Sequence, residues 1–166
     1  MQLLQLLALL ASLISAGMMA GLFTGFSYAV MPGIKILDDK AWVATMQQIN
    51  KVIINGWFMP AFLGSVLFTA AATALTWASS NRAALPWAVV ALALALVMFI
   101  GTMAVNVPLN DRLADAGDPD AIVDIAALRE RVEAKWIAWN TVRGVASLGS
   151  LLALGWALFV HGRAAG

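Results

Sequence analysis

Long apolar stretches alternate with short polar ones along the chain. The stretches predicted to cross a membrane run from about Leu6 to Val30, Trp57 to Trp77, Pro86 to Val107 and Trp136 to Val160. Each is near the roughly 20 mostly apolar residues that a spanning helix needs. In the first, Gly17, Gly21 and Gly25 recur at four-residue spacing. That spacing puts them on one helix face, where a neighbouring backbone could approach closely. Pro32-Gly33 is expected to end this span. Two connections are long enough to carry structure, and both lie on one side of the membrane. In the first, Trp42, Met46, Ile49 and Ile53 recur at helical spacing. They predict an amphipathic helix over about 39–55, capped by Asp38 or Asp39 and ended at Gly56. The second opens with Asp118-Pro119, a cap residue followed by proline at the first helical position. Ile122, Ile125, Leu128 or Arg129, Val132, Trp136 and Trp139 then follow a helical stripe. They predict a helix over about 119–136 that runs into the last span. The link at Ser79–Leu85 reads as a plain turn on the opposite side, and no strong internal repeat is evident. The fold class is therefore all-α. It is an integral membrane four-helix bundle, a single domain over 1–166, with two amphipathic helical connections on the same membrane side.

Composition sharpens this picture. The chain is 62% hydrophobic and 11% charged, where a soluble domain is typically about half apolar and roughly a quarter charged. No charged side chain precedes Lys35, and none lies between Lys51 and Arg82 or between Arg82 and Asp111. The N-terminal stretch lacks Lys and Arg, and its apolar run from about Leu3 to Val30 exceeds a signal peptide's h-region of ~7–15 residues. It is expected to be a retained helix. Trp57, Trp136 and Trp139 would mark one membrane surface and Trp77, Trp87 and Trp156 the other, as an aromatic belt. Lys35, Lys40, Lys51, Arg112, Arg129, Arg131 and Lys135 flank the first surface, against Arg82 and Arg163 at the second. The positive-inside rule then puts the long connections in the cytoplasm, with a bacterial inner (plasma) membrane as the expected location. The net charge of +1 gives no support to a nucleic-acid partner.

Cysteine is absent and His161 is the lone histidine, while the eight methionines are scattered through apolar stretches. These supply neither disulfides nor a metal-ligating cluster, so no metal and no cofactor is expected. There is no Gly-rich phosphate loop, nucleophile elbow or HExxH pattern.

The chemistry must come from polar residues at the ends of spans. Arg143 shares a helix face with Trp136, Asn140 and, nearly, Trp139. Facing lipid at mid-bilayer it would cost on the order of 2–3 kcal/mol. Two placements avoid this cost: the bundle interior, or snorkelling to the headgroups. Pro108, between Asn106 and Asn110, removes a backbone donor and frees carbonyls about one turn earlier, near Ala104. Asn106, Asn110, Asn140, Arg143 and Asn55 would converge in one pocket, walled by Tyr28, Trp57, Trp136 and Trp139. The alternative is that these amides only cap helices and knit loops. Glu133 pairs with Arg129 at i, i+4. Asp111 and Glu133 are candidate bases by location alone.

The stretches "YAVMPGIKILDD", "WVATMQQINKVIINGWF", "NVPLNDRL" and "WIAWNTVRGVASL" together resemble the DUF1772, or anthrone oxygenase-like, family. The resemblance covers about Tyr28 to Leu148. It implies a small four-span membrane protein, and for some members the oxidation of an anthrone to an anthraquinone by molecular oxygen. On that reading Arg143, Asn140, Asn106 and Asn110 would form the catalytic group and hold an enolate oxygen. Tyr28, Asn55, Trp57, Trp136 and Trp139 would bind a lipophilic aromatic small molecule. The other reading is a non-enzymatic membrane protein that binds quinone or lipid, or steadies a partner. Membrane lipid and a second copy of the chain are the expected macroscopic partners. A transporter is disfavoured by four spans without a charged pathway.

Overall fold

In a computed structural model the described residues, 2–163, form an all-helical bundle with four helices long and apolar enough to cross a membrane. Met1 and residues 164–166 of the expected domain lie outside the described residues. Helix α1 (Gln2–Gly25) continues through a π-helical turn (Phe26–Val30) into the short α2 (Met31–Ile34). Helix α3 (Asp39–Ile53) lies across the connection, and α4 (Phe58–Trp77) returns through the bundle. Helix α5 (Leu85–Gly101), a second π turn (Thr102–Asn106) and α6 (Val107–Asp115) form the third span. Helix α7 (Ile125–Arg163) is one uninterrupted rod of 39 residues. Helices α1, α4, α5 and α7 close into a ring in which each packs on its two neighbours.

The prolines explain the two π turns. Pro32 and Pro108 have no N–H to give to the carbonyls of Tyr28 and Ala104, four residues earlier. The helix widens to accommodate this. Met31 N–H bonds to Phe26 O and Val107 N–H to Thr102 O, the five-residue spacing of a π-helix. Neither proline ends its helix, so the first span runs on to Ile34 and the third to Asp115. That corrects the expected stops at Val30 and Val107.

The connections differ from expectation at their edges. Asp38, not Asp39, caps α3, accepting from Ala41 N–H at 2.8 Å. Asp118-Pro119 does not open a helix. Asp118 O accepts from Ala121 N–H at 2.8 Å, closing a turn with proline at its second position. Helix α7 starts only at Ile125, where Asp124 Oδ1 accepts from Ala127 N–H at 3.0 Å. The amphipathic segment and the fourth span are one rod.

Three apolar layers stack along the bundle. At the Ser79–Ala84 end, Leu9, Ala16, Ala72, Ala91 and Leu154 pack together. Met19, Phe23, Phe62 and Met98 fill the middle. At the connection end, Met31, Trp42, Met46, Leu109, Leu113, Val132 and Trp136 join α2, α3, α6 and α7. Arg129 fastens this layer. It donates to Leu37 O, Lys35 O and Asp39 Oδ1 at 2.8, 2.9 and 3.1 Å, and to Glu133 Oε2 at 2.7 Å. An ion pair between Lys40 and Asp120 ties the two connections further.

Outside these layers the spans expose apolar side chains, among them Leu67, Val90, Ile100, Val145 and Leu152. Such a surface belongs in lipid, and the protein is an integral membrane protein. Trp57, Trp77, Trp87 and Trp156 are exposed, as a belt requires, whereas Trp136 is buried. The glycine face of α1 also departs from expectation. A Cβ on Gly17 would meet Leu151 at an ordinary 3.6 Å, and one on Gly21 or Gly25 would meet nothing within 4 Å. The tight approaches in the bundle lie elsewhere: an added Cβ would come within 3.0 Å of Ser15 Oγ at Gly64, 2.9 Å of Leu94 at Gly149 and 3.1 Å of the Trp139 ring at Gly101.

Both halves of the chain trace the same path. Each has a span, a glycine (Gly25, Gly101) leading into a π turn, and a proline (Pro32, Pro108) seven residues after that glycine. Each then returns through a connection helix and a second span. Asp39–Trp77 is as long as α7, but it is broken at residues 54–57. The side chains differ between the halves, which is why the sequence shows no repeat.

Candidate functional site

The site is built on one face of α7. Trp136, Asn140 and Arg143 follow the i, i+4, i+7 rule and are all buried. Arg143 is only 5% exposed, so it points into the bundle and not to the headgroups. Its guanidinium carbon lies 4.4 Å from the Phe23 ring centroid and 5.4 Å from that of Trp136. These aromatic faces attract the cation and offset part of its desolvation. Nη2 donates to Asn140 Oδ1 at 2.9 Å, and Nη1 makes a long 3.5 Å contact with Thr102 Oγ1. Nε has no partner. Among the described residues the ion pairs are Lys40–Asp120, Arg129–Asp39 and Arg129–Glu133, so no carboxylate neutralises Arg143. A guanidinium has five N–H donors, and most of these are unspent.

Asn140 fixes this arrangement from the other side. Its Nδ2 donates to Phe23 O at 2.9 Å and to Ser27 Oγ at 2.8 Å, where α1 enters its π turn. Asn106 and Asn110, one turn apart around Pro108, act on Trp136. Asn106 Nδ2 donates to Trp136 O at 3.2 Å, and Trp136 Nε1 donates to Asn110 Oδ1 at 2.7 Å. The two amides thus hold the third span on α7 and set the indole. Arg143 bonds instead to Asn140 and Thr102.

A cavity of about 790 Å³ opens beside this group, within the range of small-molecule sites. Phe23, Phe26, Phe58, Phe62, Met103 and Trp136 give it apolar walls, and Thr102, Asn110, Asn140 and Arg143 contribute polar groups. Gln47, Asn50, Lys51, Asp111 and Asp118 also line it. Lys51, Asp111 and Asp118 are exposed, which places the mouth on the connection side.

Of the sequence-predicted residues, Arg143, Asn140, Asn110 and Trp136 line one cavity. Asn106, 1% exposed, supports Trp136 from behind. Tyr28, Asn55, Trp57 and Trp139 are not in the lining. Tyr28 and Trp57 are 77% and 81% exposed. Asn55 Oδ1 accepts from the N–H groups of Trp57 and Phe58 at 2.9 and 3.0 Å, capping α4. Trp139 is occupied against Gly101. Of the two carboxylates considered as bases, Asp111 lines the cavity and Glu133 is held by Arg129. Sequence reasoning missed the phenylalanines, Thr102, Gln47 and Asn50. A phenylalanine inside an apolar span carries no signal that separates cavity from core or lipid. Gln47 had one: an amide on a connection helix must find partners, and it donates to Leu113 O and Gly117 O at 2.6 and 2.9 Å. Among the described residues no three metal-ligating side chains cluster.

The fold and the cavity together define a small four-span membrane protein with a polar-ended aromatic cavity at one surface. The sequence pattern of one family, described as anthrone oxygenase, matches residues 56–153. That is more than half the chain, and the protein belongs to the anthrone oxygenase family. The match includes Asn106, Asn110, Trp136, Asn140 and Arg143; Phe23 and Asn50 lie outside it. No curated protein and no solved structure matches the chain.

Proposed function

We propose that the protein is a membrane-embedded oxygenase acting on a lipophilic phenolic or anthrone-like substrate. The observation that carries this reading is Arg143: a buried guanidinium, unpaired with any carboxylate, in the wall of an aromatic cavity. Such a group calls for an oxygen that becomes negative. An anthrone supplies one when it loses the proton of its CH₂ carbon and becomes an enolate. Electron transfer to O₂ and coupling at that carbon give a peroxide, which is protonated to the hydroperoxide. Loss of water leaves the quinone, so one oxygen atom enters the product and the other leaves as water. Arg143 would hold the enolate oxygen with donors already in place, an effect worth roughly 3–4 kcal/mol in a dry site. Phe26, Phe58, Phe62 and Trp136 would flank the rings. Asp111 is the carboxylate we assign to proton removal, since it lines the same cavity. The lysines and arginines on the connection side favour a cytoplasmic mouth, in a bacterial inner membrane.

The test is oxygen uptake by detergent-purified protein given a simple anthrone, above the uncatalysed rate and with a chelator control. Arg143→Gln should lower kcat/KM by about 100-fold, as for loss of an oxyanion donor, while the protein stays monodisperse. Asp111→Asn should lower kcat with little change in KM. Unchanged turnover in Arg143→Gln would remove Arg143 from the chemistry.

One observation favours the second reading, a non-catalytic binder of quinone or lipid. Among the described residues no carboxylate pairs with Arg143, so its end of the cavity can hold an acceptor oxygen without acting on it. Tight quinone binding with no uptake from any anthrone would select that reading.

A further inference from the structure

The cations on the connection side have different fates. Arg129 and Lys40 pair with carboxylates, and Lys51 lines the mouth of the cavity. Arg112 on α6 and Arg131 on α7 do neither. Among the described residues the Arg112 side chain makes no hydrogen bond or ion pair, and that of Arg131 donates only through Nε, to Ala127 O at 3.0 Å. Yet these two arginines line one recess of about 410 Å³, which shares no residue with the cavity. Ala116, Leu128 and Val132 give the recess apolar walls, and Asp115 is its one carboxylate. Arg112, Asp115 and Arg131 are exposed. Neighbours in sequence stand about 100° apart on a helix, so α6 turns Asp111 to the cavity and Arg112 to the recess.

The far tryptophans fix the depth of this recess. Trp87 and Trp156 meet edge to face, with ring centroids 5.9 Å apart, and so share one level in the membrane. Arg112 lies 25 residues after Trp87, along the continuous third span, and Arg131 lies 25 residues before Trp156, along α7. At a rise of roughly 1.5 Å per residue, both arginines stand about 37 Å from the far belt. The hydrocarbon core is about 30 Å thick, and the bilayer with its headgroups about 40–45 Å. Two independent helices thus bring both arginines to the headgroup layer.

At that level the chemistry of the recess selects its occupant. Two guanidiniums against one carboxylate leave it net positive. Each guanidinium is a planar fork that matches the oxygens of a phosphate. Asp115, three residues beyond Arg112, lies about 4.5 Å further from the hydrocarbon. We infer that the recess binds the headgroup of an anionic phospholipid. Arg112 and Arg131 take the phosphodiester, and Asp115 accepts from a hydroxyl beyond it. A phosphatidylglycerol carries its groups in this order. The bound lipid bridges α6 and α7 on the side of α6 turned away from the cavity, and it does not depend on what the cavity takes.

The experiment is native mass spectrometry of the purified full chain in detergent, titrated with phosphatidylglycerol, phosphatidylethanolamine or phosphatidylcholine of the same acyl chains. Phosphatidylglycerol should bind more tightly than the two zwitterionic lipids. Arg112→Gln and Arg131→Gln should each weaken it by roughly fivefold, the effect of one cation near a lipid surface. Lys35→Gln removes an equal charge outside the recess and should change the affinity by less than about twofold. Inorganic phosphate at the concentration of the lipid should not displace it. If the arginine variants lose no more affinity than Lys35→Gln, the attraction belongs to the whole surface and the recess is not a site. If a zwitterionic lipid binds as tightly as phosphatidylglycerol, or free phosphate displaces it, the assignment to an anionic lipid is wrong.

Discussion

Asn140 links the two polar systems of the site, and its loss should be felt in both. It accepts from Arg143 and donates to Phe23 O and Ser27 Oγ. Asn140→Ala should cost about 1.5–3 kcal/mol, the range for a hydrogen bond to a charged group. A double-mutant cycle with Arg143→Gln, read by unfolding in detergent, should show coupling between the two sites. Additive costs would mean that they act independently. At this scale the sequence was informative where burial leaves few choices. An arginine on the face of Trp136 and Asn140 had two placements, and the interior is where it lies. The asparagines were legible as polar residues needing partners, but not as which partner. Asn106 and Asn110 were expected beside Arg143, and they hold Trp136 instead. The rotation that the π turn adds upstream of Pro108 decides this, and the amino-acid pattern does not specify that rotation.

The connection helices show how the same residue types serve as punctuation. Asn55 sits between α3 and α4, donating to Val52 O at 2.9 Å and accepting from the N–H groups of Trp57 and Phe58 where α4 begins. Asn55→Ala should lower stability by about 1 kcal/mol, as for a lost cap, and leave the affinity for anthraquinone within about twofold. Unfolding in detergent and a titration followed by tryptophan fluorescence check the two halves of that statement. A large loss of affinity at unchanged stability would return Asn55 to the ligand site. Spans and their apolar character were readable, because a helix in lipid must be long and apolar. Ends were less so. Proline and Asp-Pro signals are ambiguous between a stop, a widened turn and a tight turn, and only packing against α7 resolves them.

At the scale of the whole molecule, the bundle class followed from composition and hydrophobic pattern, and the family from motifs spread over its length. The ring order of the helices and the cavity did not, because both depend on which faces meet. The matching paths of the two halves carry one more consequence. In lipid each span is stable as a helix before it packs, and the Ser79–Ala84 link is a short turn at the end of the bundle away from the cavity. The polypeptide therefore need not be continuous there. Separate fragments ending at Ser80 and beginning at Asn81, produced together in one cell, should find each other in the membrane, co-purify and bind anthraquinone. Fragments that remain apart would show that the turn itself holds the bundle together. Joined pieces would show that this small protein is a dimer of hairpins whose covalent bond is a convenience.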